Sequence, residues 1–406
     1  MVVSPKLMDT QGFTAFLNSN NLWKKHRRAF STRLNVQSAA EFRPLQEKQC
    51  GLLLQRLLDF CTSTQSSNEL LREFYRTASS IFLDSIYGYE LKSADDPFFV
   101  NVVILNEHLA KAAIPSLFLV NTIPLLAYLP EWFPGVYWKR LAREWRDHKN
   151  RTVNDIFYWA KQRIVNEGED RSIIALTLKE AREAGRSEDE ADDFAKNLGT
   201  IMSIGLSLHY AIKWPYLKLI YRWFRDGAST MTLVWFVLAM VLHPEVQAKV
   251  QQEIDTAVGS NRLPTFSDRP NLPYLERVLL EVLRWRPGIP LGAPHISNEE
   301  DEYRGYRIPK GDIVICPGKH FFREMFFIEA AQILAVFNLQ KLKDEKGQVV
   351  EPETRVTADS GAPYVLTVVV DEGTGAKHLM FSRPIEFKIQ ITPRSSQHVE
   401  LIHTAA

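Results

Sequence analysis

The sequence predicts a mainly α-helical fold with a minor β part, an α+β architecture. Apolar residues recur at helical spacing through most of the chain up to residue 285. After that point, Gly and Pro become frequent and short β-like runs appear. The chain has 406 residues, of which 45% are hydrophobic and 24% charged, so it is long and apolar enough to bury a large core.

The predicted helices of the first half follow from apolar spacing and from helix-start signals. Leu53, Leu57 and Leu58 lie on one predicted helix, and Asp95-Asp96-Pro97 is a typical start for another. Helices are predicted over residues 23–34, 42–60, 70–87, 95–113, 136–166, 170–184 and 187–203.

The second half alternates apolar helices with short strands. A hairpin is predicted within 303–311, where Gly305 and Pro309 interrupt the pattern, and β character recurs at 364–370 and 385–391. Helices are predicted over residues 230–242, 244–258, 272–285 and 319–337.

The segment 114–134 is apolar, but four prolines interrupt it: Pro115, Pro124, Pro130 and Pro134. Repeated prolines disfavour one long helix, so we expect short turns with exposed apolar residues. Two interpretations remain open: a packed loop, or a lid or membrane-touching patch.

Composition excludes several classes of protein. Lys plus Arg is 49 and Asp plus Glu is 48, which is not the basic excess of a nucleic-acid-binding protein. The three cysteines, Cys50, Cys61 and Cys316, are too few and odd in number for a disulfide framework. The first 20 residues contain no secretory signal, and the apolar run 231–242 is too short to span a bilayer, so no membrane anchor is expected.

Three residue patterns are candidates for a functional site. Cys316-Pro317-Gly318 precedes a predicted helix, whose N-terminus would stabilise a thiolate able to bind a metal, although a structural cysteine fits equally well. Glu281 and Arg284 are three residues apart on an otherwise apolar helix, which favours a buried ion pair. Trp23 and Arg27 belong to a basic, aromatic cluster suited to a flat anionic ligand, or to a solvated surface.

In this order, the three patterns resemble the W-x-x-x-R helix, the E-x-x-R helix and the cysteine segment of cytochrome P-450, a haem-thiolate monooxygenase, of the fungal type. Pro294-His295 and the segment 299–311 are similar to the family's strands after the E-x-x-R helix. The segments 239–247 and 391–394 also resemble parts of that family.

The resemblance implies a haem cofactor with Cys316 as the axial thiolate on iron, and Glu281 and Arg284 fixing the core behind the haem. By the same resemblance, the haem propionates would be held by three residues, Trp23, Arg27 and His295. The oxygen pocket would be lined by Gly227, Ala228 and Thr230, whose hydroxyl would assist proton delivery.

The implied activity is hydroxylation of a small apolar organic substrate with O₂, with electrons from a separate reductase. The implied location is the cytosolic face of the endoplasmic reticulum, with segment 114–134 in the substrate-access region that touches the bilayer in membrane-bound members. Two alternatives remain: an inactive helical remnant without haem, and a peripheral membrane-binding helical protein.

The sequence departs from the family in ways that predict low haem occupancy. Ile315 runs directly into Cys316, so the family's arginine-containing segment and haem loop are missing. Ser229 replaces the acidic residue expected before Thr230. We therefore expect a single truncated domain over 1–406, with insertion-like segments at 204–225 and 359–381.

Overall fold

A computed structural model describes most of the chain, and its described part is mainly helical with three small antiparallel sheets, which confirms the predicted fold class. The described residues are 1, 4–13, 20–33, 36–61, 65–93, 95–113, 117–167, 171–207, 228–287, 293–297, 299–316, 321–344, 346–355 and 384–405.

The chain forms two compact units, each described here by itself. The first unit comprises Met1–Arg33, Ser79–Gly227 and Gly361–His378. The second unit comprises Leu34–Ala78, Ala228–Ser360 and Leu379–Ala406. Each unit therefore combines segments that are distant in sequence.

The helices agree with the apolar spacing of the sequence to within a few residues at most ends. The α-helices are α1 (Asn21–Arg33), α2 (Val36–Ala39), α3 (Arg43–Phe60), α4 (Ser67–Tyr87), α5 (Pro97–Ala113), α6 (Trp138–Glu167), α7 (Ile173–Glu183), α8 (Glu188–Ser207), α9 (Ala228–Leu242), α10 (Pro244–Ala257), α11 (Pro273–Trp285), α12 (Phe321–Val336) and α13 (Ser396–Thr404). Short 3₁₀ turns occur at Ala40–Phe42, Leu119–Asn121, Pro124–Tyr128 and Phe266–Asn271.

The strands are short and pair antiparallel. They are β1 (Gln65–Ser66), β2 (Ala293–Ile296), β3 (Asp301–Tyr303), β4 (Tyr306–Ile308), β5 (Ile313–Cys316), β6 (Phe337–Lys341) and β7 (Lys388–Pro393). One sheet has the order β1-β7-β6, and the pairs β2-β5 and β3-β4 form the other two.

The predicted hairpin is confirmed as β3 and β4. Its two-residue loop, Arg304-Gly305, has φ angles of 52° and 84°. Positive φ at both positions is what a two-residue hairpin turn of type I′ requires, and glycine adopts it without steric cost.

Helix α9 is buried on all sides and forms the centre of the second unit's core. Trp235 and Phe236 are fully buried there, and Phe236 meets Phe326 of α12 edge to face with ring centroids 5.8 Å apart. A helix that is apolar all round is stable only when surrounded by other elements, which explains the uniform composition of α9.

In the first unit, the N-terminal segment packs into an apolar cluster. Leu7, Met8 and Phe13 are buried with Leu109 of α5 and Trp145 of α6. The buried Lys149 of α6 donates a hydrogen bond to the carbonyl oxygen of Asp9, which fixes this segment to the helix.

The proline-punctuated segment consists of short turns, as predicted. Phe118 and Val120 of this segment are buried, but several other large apolar side chains are exposed, among them Leu125 to 76%, Tyr128 to 74% and Trp132 to 80%. We call residues 117–137 the apolar connection, because they join α5 to α6.

Some predictions fall outside the described residues, and some elements were not predicted. The predicted strand at 364–370, nearly all of the segment 204–225 and all of 359–381 lie outside the described part. Helix α12 ends at Val336, where strand β6 begins, whereas one helix was predicted to Phe337. Helix α13 was not predicted.

Candidate functional site

Cys316 is the last residue of strand β5, and its Cα pairs in register with that of Ala293 in β2. Helix α12 begins only at Phe321, and residues 317–320 lie outside the described part. The β-branched run Ile313-Val314-Ile315 favours the strand that ends at Cys316. Stabilisation of a Cys316 thiolate by the N-terminus of the following helix stays a prediction, because residues 317–320 and the Cys316 side chain lie outside the described part.

The backbone of His295 lies in β2, opposite Val314 of β5. The pairing of these two strands places the backbones of His295 and Cys316 in one small sheet. The side chains of both residues are outside the described part, so only their backbone placement follows from the structure.

Glu281 and Arg284 of α11 pair as predicted, through two hydrogen bonds of 2.6 and 2.7 Å from the guanidinium to the carboxylate. The guanidinium lowers the pKa of Glu281 through these bonds. The prediction that this pair is buried is wrong, since Glu281 is 61% and Arg284 72% exposed. Helix α11 is strongly amphipathic: Val278 and Val282 are on its buried side, whereas the side chains of the ion pair project into solvent.

Trp23 and Arg27 lie on α1 in the first unit. The guanidinium of Arg27 is 5.7 Å from the centre of the Trp23 ring, and Arg27 is exposed. Between them, His26 is buried and contacts the Phe194 ring at 4.8 Å. The exposed face of α1 thus presents a cation beside an indole, as predicted.

The predicted oxygen-pocket residues lie at the start of α9. Ala228 is its first residue and Thr230 is buried, with 1% exposure. Gly227 lies outside the described residues.

A network of ion pairs, which was not predicted, holds the first turn of α12. Arg269 binds Glu276 of α11 and Glu324 of α12, both at 2.7 Å, and Arg43 of α3 binds Glu324 at 2.9 Å. Arg323 reaches Glu276 at 3.4 Å. The adjacent Arg323 and Glu324 near the start of a predicted helix could have indicated ion pairs at this position. Their partners could not be predicted, because they are distant in sequence.

A groove of about 350 Å³ lies between α9, α10 and α11 in the second unit. Its walls are mostly apolar, and its polar residues are His243 and Glu281. This size is at the lower end of the range for small-molecule pockets. It is lined by Ala239, Met240, His243, Val246, Val278, Glu281, Val282 and Trp285.

The described residues contain no group of three or more His, Cys, Asp or Glu side chains arranged to hold a metal ion. No single described helix is long and apolar enough to cross a membrane, although the bent pair Thr230–Leu242 and Pro244–Ala257 (104°) passes by length and composition alone.

Comparisons with known proteins identify the class of protein that this fold belongs to. The sequence matches the family model described as Cytochrome P-450 over residues 3–206 and 227–332. The fold is similar to that of a zebra fish cytochrome P-450 solved with abiraterone, with a TM-score of 0.63 and 18% sequence identity. The superposition covers 97% of this chain and 87% of the zebra fish chain.

Fungal relatives are more similar in sequence. A cytochrome P-450 monooxygenase of Ampulloclitocybe clavipes, claR, is 32% identical over 419 residues, which is 90% of this chain and 68% of the relative. A cytochrome P-450 monooxygenase of Armillaria gallica is 28% identical over 450 residues, which is 98% of this chain and 79% of the relative. The chain belongs to the cytochrome P-450 family, and family and fold support a haem monooxygenase as its class.

The family match omits residues 207–226, the range in which an insertion-like segment was predicted. Whether this segment and 359–381 are insertions stays a prediction.

The family implies haem and a cysteine thiolate, and the described residues do not form that site as the resemblance implies it. The Glu281–Arg284 pair is solvent-exposed instead of buried behind the haem, and the sulfur of Cys316 lies outside the described part. The sequence also lacks the loop that would surround the sulfur. We therefore derive no catalytic step through haem from this geometry.

Proposed function

We propose that this chain is a haem-dependent monooxygenase of a small apolar organic substrate, and that only a minor fraction of its molecules carries haem. The observation that supports the activity is the family match, which includes Cys316 and most of α12. When bound, haem supplies O₂ activation, and a separate reductase supplies the electrons.

We infer the low occupancy from the loop that is missing before Cys316. The sequence thereby lacks the segment that would shield an iron–sulfur bond, and the surroundings of a metal site control the access of water to it. The exposed Glu281–Arg284 pair also does not fix a core behind the haem as the resemblance implies.

The first prediction concerns haem content and ligation. We expect purified protein to hold well below one haem per chain, and the loaded fraction to give a thiolate-type Soret band in the reduced carbon-monoxide difference spectrum. Cys316→Ala is expected to abolish this band, because the band requires the axial sulfur. Cys61→Ala is the matched control, since the half-buried Cys61 donates only to the carbonyl oxygen of Leu57 within α3.

Each outcome decides one part of the proposal. Absence of any thiolate-type band would leave a helical scaffold without haem and would overturn the monooxygenase assignment. One haem per chain would overturn the low-occupancy claim. Retention of the band in Cys316→Ala would reject Cys316 as the ligand.

We also propose peripheral membrane contact at the cytosolic face of the endoplasmic reticulum. The supporting observation is the apolar connection, whose side chains of Leu125, Tyr128 and Trp132 are each at least 74% exposed. Several large, exposed apolar side chains within one short segment are suited to the interfacial region of a bilayer.

The second prediction tests this contact by liposome flotation. The double change Leu125→Ser and Trp132→Ser is expected to reduce binding roughly tenfold or more, because burial of each large apolar side chain contributes about 1.5–3 kcal/mol. Tyr306→Ser is the control, since Tyr306 is equally exposed (76%) but lies in the β3–β4 hairpin of the second unit. Equal flotation of the double variant and the unmodified protein would reject the contact.

A further inference from the structure

Two imidazoles face each other across the helices that flank the apolar connection. His108 of α5 and His148 of α6 have ring centroids 5.1 Å apart, at an interplanar angle of 76°. His108 also stacks on Trp145 of α6, with centroids 4.8 Å apart and an angle of 11°. The two histidines thus form part of the packing between α5 and α6.

The hydrogen bonds of this pair suit neutral rings. Nε2 of His148 lies 3.4 Å from Oδ1 of Asn101, an acceptor, so this nitrogen carries the proton when the ring is neutral. Nδ1 of His148 and Nδ1 of His108 are both buried, and neither has a hydrogen-bond partner among the described residues. Protonation of His148 would therefore create a buried N–H with no acceptor, which is costly.

The charges around the pair are positive. Lys111 on α5 acts on His108, and Arg151 on α6 acts on His148. Glu107 is bound to Lys111 and so neutralises part of this charge. A proton added to either ring would meet the other ring and these cations.

Burial and these neighbours lower the pKa values of both imidazoles. Burial, then His148 and Lys111, lower the pKa of His108 to about 3. Burial, then Arg151, lower the pKa of His148. The Trp145 face would attract an imidazolium, but an attraction of about 2 kcal/mol corresponds to less than two pKa units, which is smaller than the fall of the His108 pKa from 6.5 to about 3.

We propose that His108 and His148 form an acid-sensitive clasp between α5 and α6, which holds the ends of the apolar connection together when both rings are neutral and releases them when either ring gains a proton. The inference concerns the first unit alone and is independent of haem.

Proton binding and the opening of the clasp are thermodynamically linked, so the pKa values of the two imidazoles determine the direction of the pH effect. Both imidazoles have lower pKa values in the fold than the ordinary value of about 6.5, so their stabilising effect is complete above that pH and is lost as the pH falls. Below about pH 6.5, each imidazole raises the opening equilibrium by up to tenfold per pH unit, until the pH reaches its pKa in the fold.

Amide hydrogen exchange of the whole chain, corrected for the intrinsic rate, tests the clasp. Between pH 7.5 and 5.5, we expect exchange in peptides of α5 and α6 to accelerate about tenfold or more, while α7 changes less. The double change His108→Phe and His148→Phe keeps ring packing but cannot be protonated, so it is expected to remove this acceleration. His243→Gln, a change of an exposed histidine in the second unit, should leave the acceleration intact.

Two results would overturn the clasp: exchange in α5 and α6 that does not depend on pH in the unmodified protein, or an acceleration that persists in the double phenylalanine variant. If that variant folds poorly, the single change His148→Gln gives a second test. It removes one imidazole and is expected to reduce the acceleration without abolishing it.

Discussion

Glu329→Leu is expected to raise the free energy of unfolding of the second unit by about 1–4 kcal/mol at neutral pH, as replacements of buried ionisable groups by apolar ones can do. Glu329 lies in α12 with no exposed surface, and neither carboxyl oxygen has a hydrogen-bond partner among the described residues. Burial raises the pKa of Glu329 well above its ordinary value, and Arg56 opposes this only in part. The fold therefore favours the protonated form of this carboxyl group more than the unfolded chain does.

The contribution of Glu329 to the free energy of unfolding decreases as the pH rises. Because the pKa of Glu329 is higher in the fold than in the unfolded chain, its contribution is most favourable below the ordinary carboxyl pKa of about 4.3. As the pH rises from there toward the pKa in the fold, this contribution falls by up to about 1.4 kcal/mol per pH unit. The Cys50 thiol, whose pKa is raised first by burial and then by Glu329, follows the same trend in the alkaline range.

Urea denaturation of the unmodified protein, Glu329→Leu and Glu329→Gln across pH 5–9 measures these effects. Both variants should lose the part of the decrease in stability at high pH that comes from Glu329, while the part due to the buried Cys50 thiol remains. Only the leucine variant should gain stability throughout. Glu302→Gln, a change of an exposed glutamate in β3, is the control and should change neither value. A leucine variant less stable than the unmodified protein at every pH would show that Glu329 has a stabilising partner.

Phe326→Ala is expected to destabilise the second unit by about 3–5 kcal/mol, the range for truncation of a buried phenylalanine. Phe326 is 1% exposed and packs edge to face on Phe236, so its loss removes an aromatic contact and leaves a cavity between α12 and α9. The same denaturation measurement applies, with Tyr306→Ala as the control because Tyr306 is exposed. A loss below about 1 kcal/mol would mean that the core closes over the cavity.

The helices were predictable because their signal is local. The apolar spacing of α3 and the uniformly apolar α9 each lie within a single segment, and Pro244 and Pro273 mark helix starts in the sequence. The β3–β4 hairpin was predictable for the same reason, since its turn residues are adjacent. Helix α13 has only nine residues and lacks a side-chain cap hydrogen bond, so the sequence contained little to indicate where it begins.

The candidate site was predictable only where it depended on local spacing. The three-residue separation of Glu281 and Arg284 predicted their ion pair, but their exposure depends on what surrounds α11. The strand placement of Cys316 depends on pairing with β2, and the contacts of Arg269 with Glu324 join segments far apart in sequence. Such partners become known only once the fold is known.

Strand β7 has a consequence for biosynthesis. It pairs with β1 near residue 65 on one side and with β6 on the other, so this sheet cannot be completed until residues 388–393 have left the ribosome. Until then, the apolar surfaces that this sheet covers remain exposed on a growing chain. Closure over so long a separation is slow, and we expect newly made chains to need chaperones during that interval.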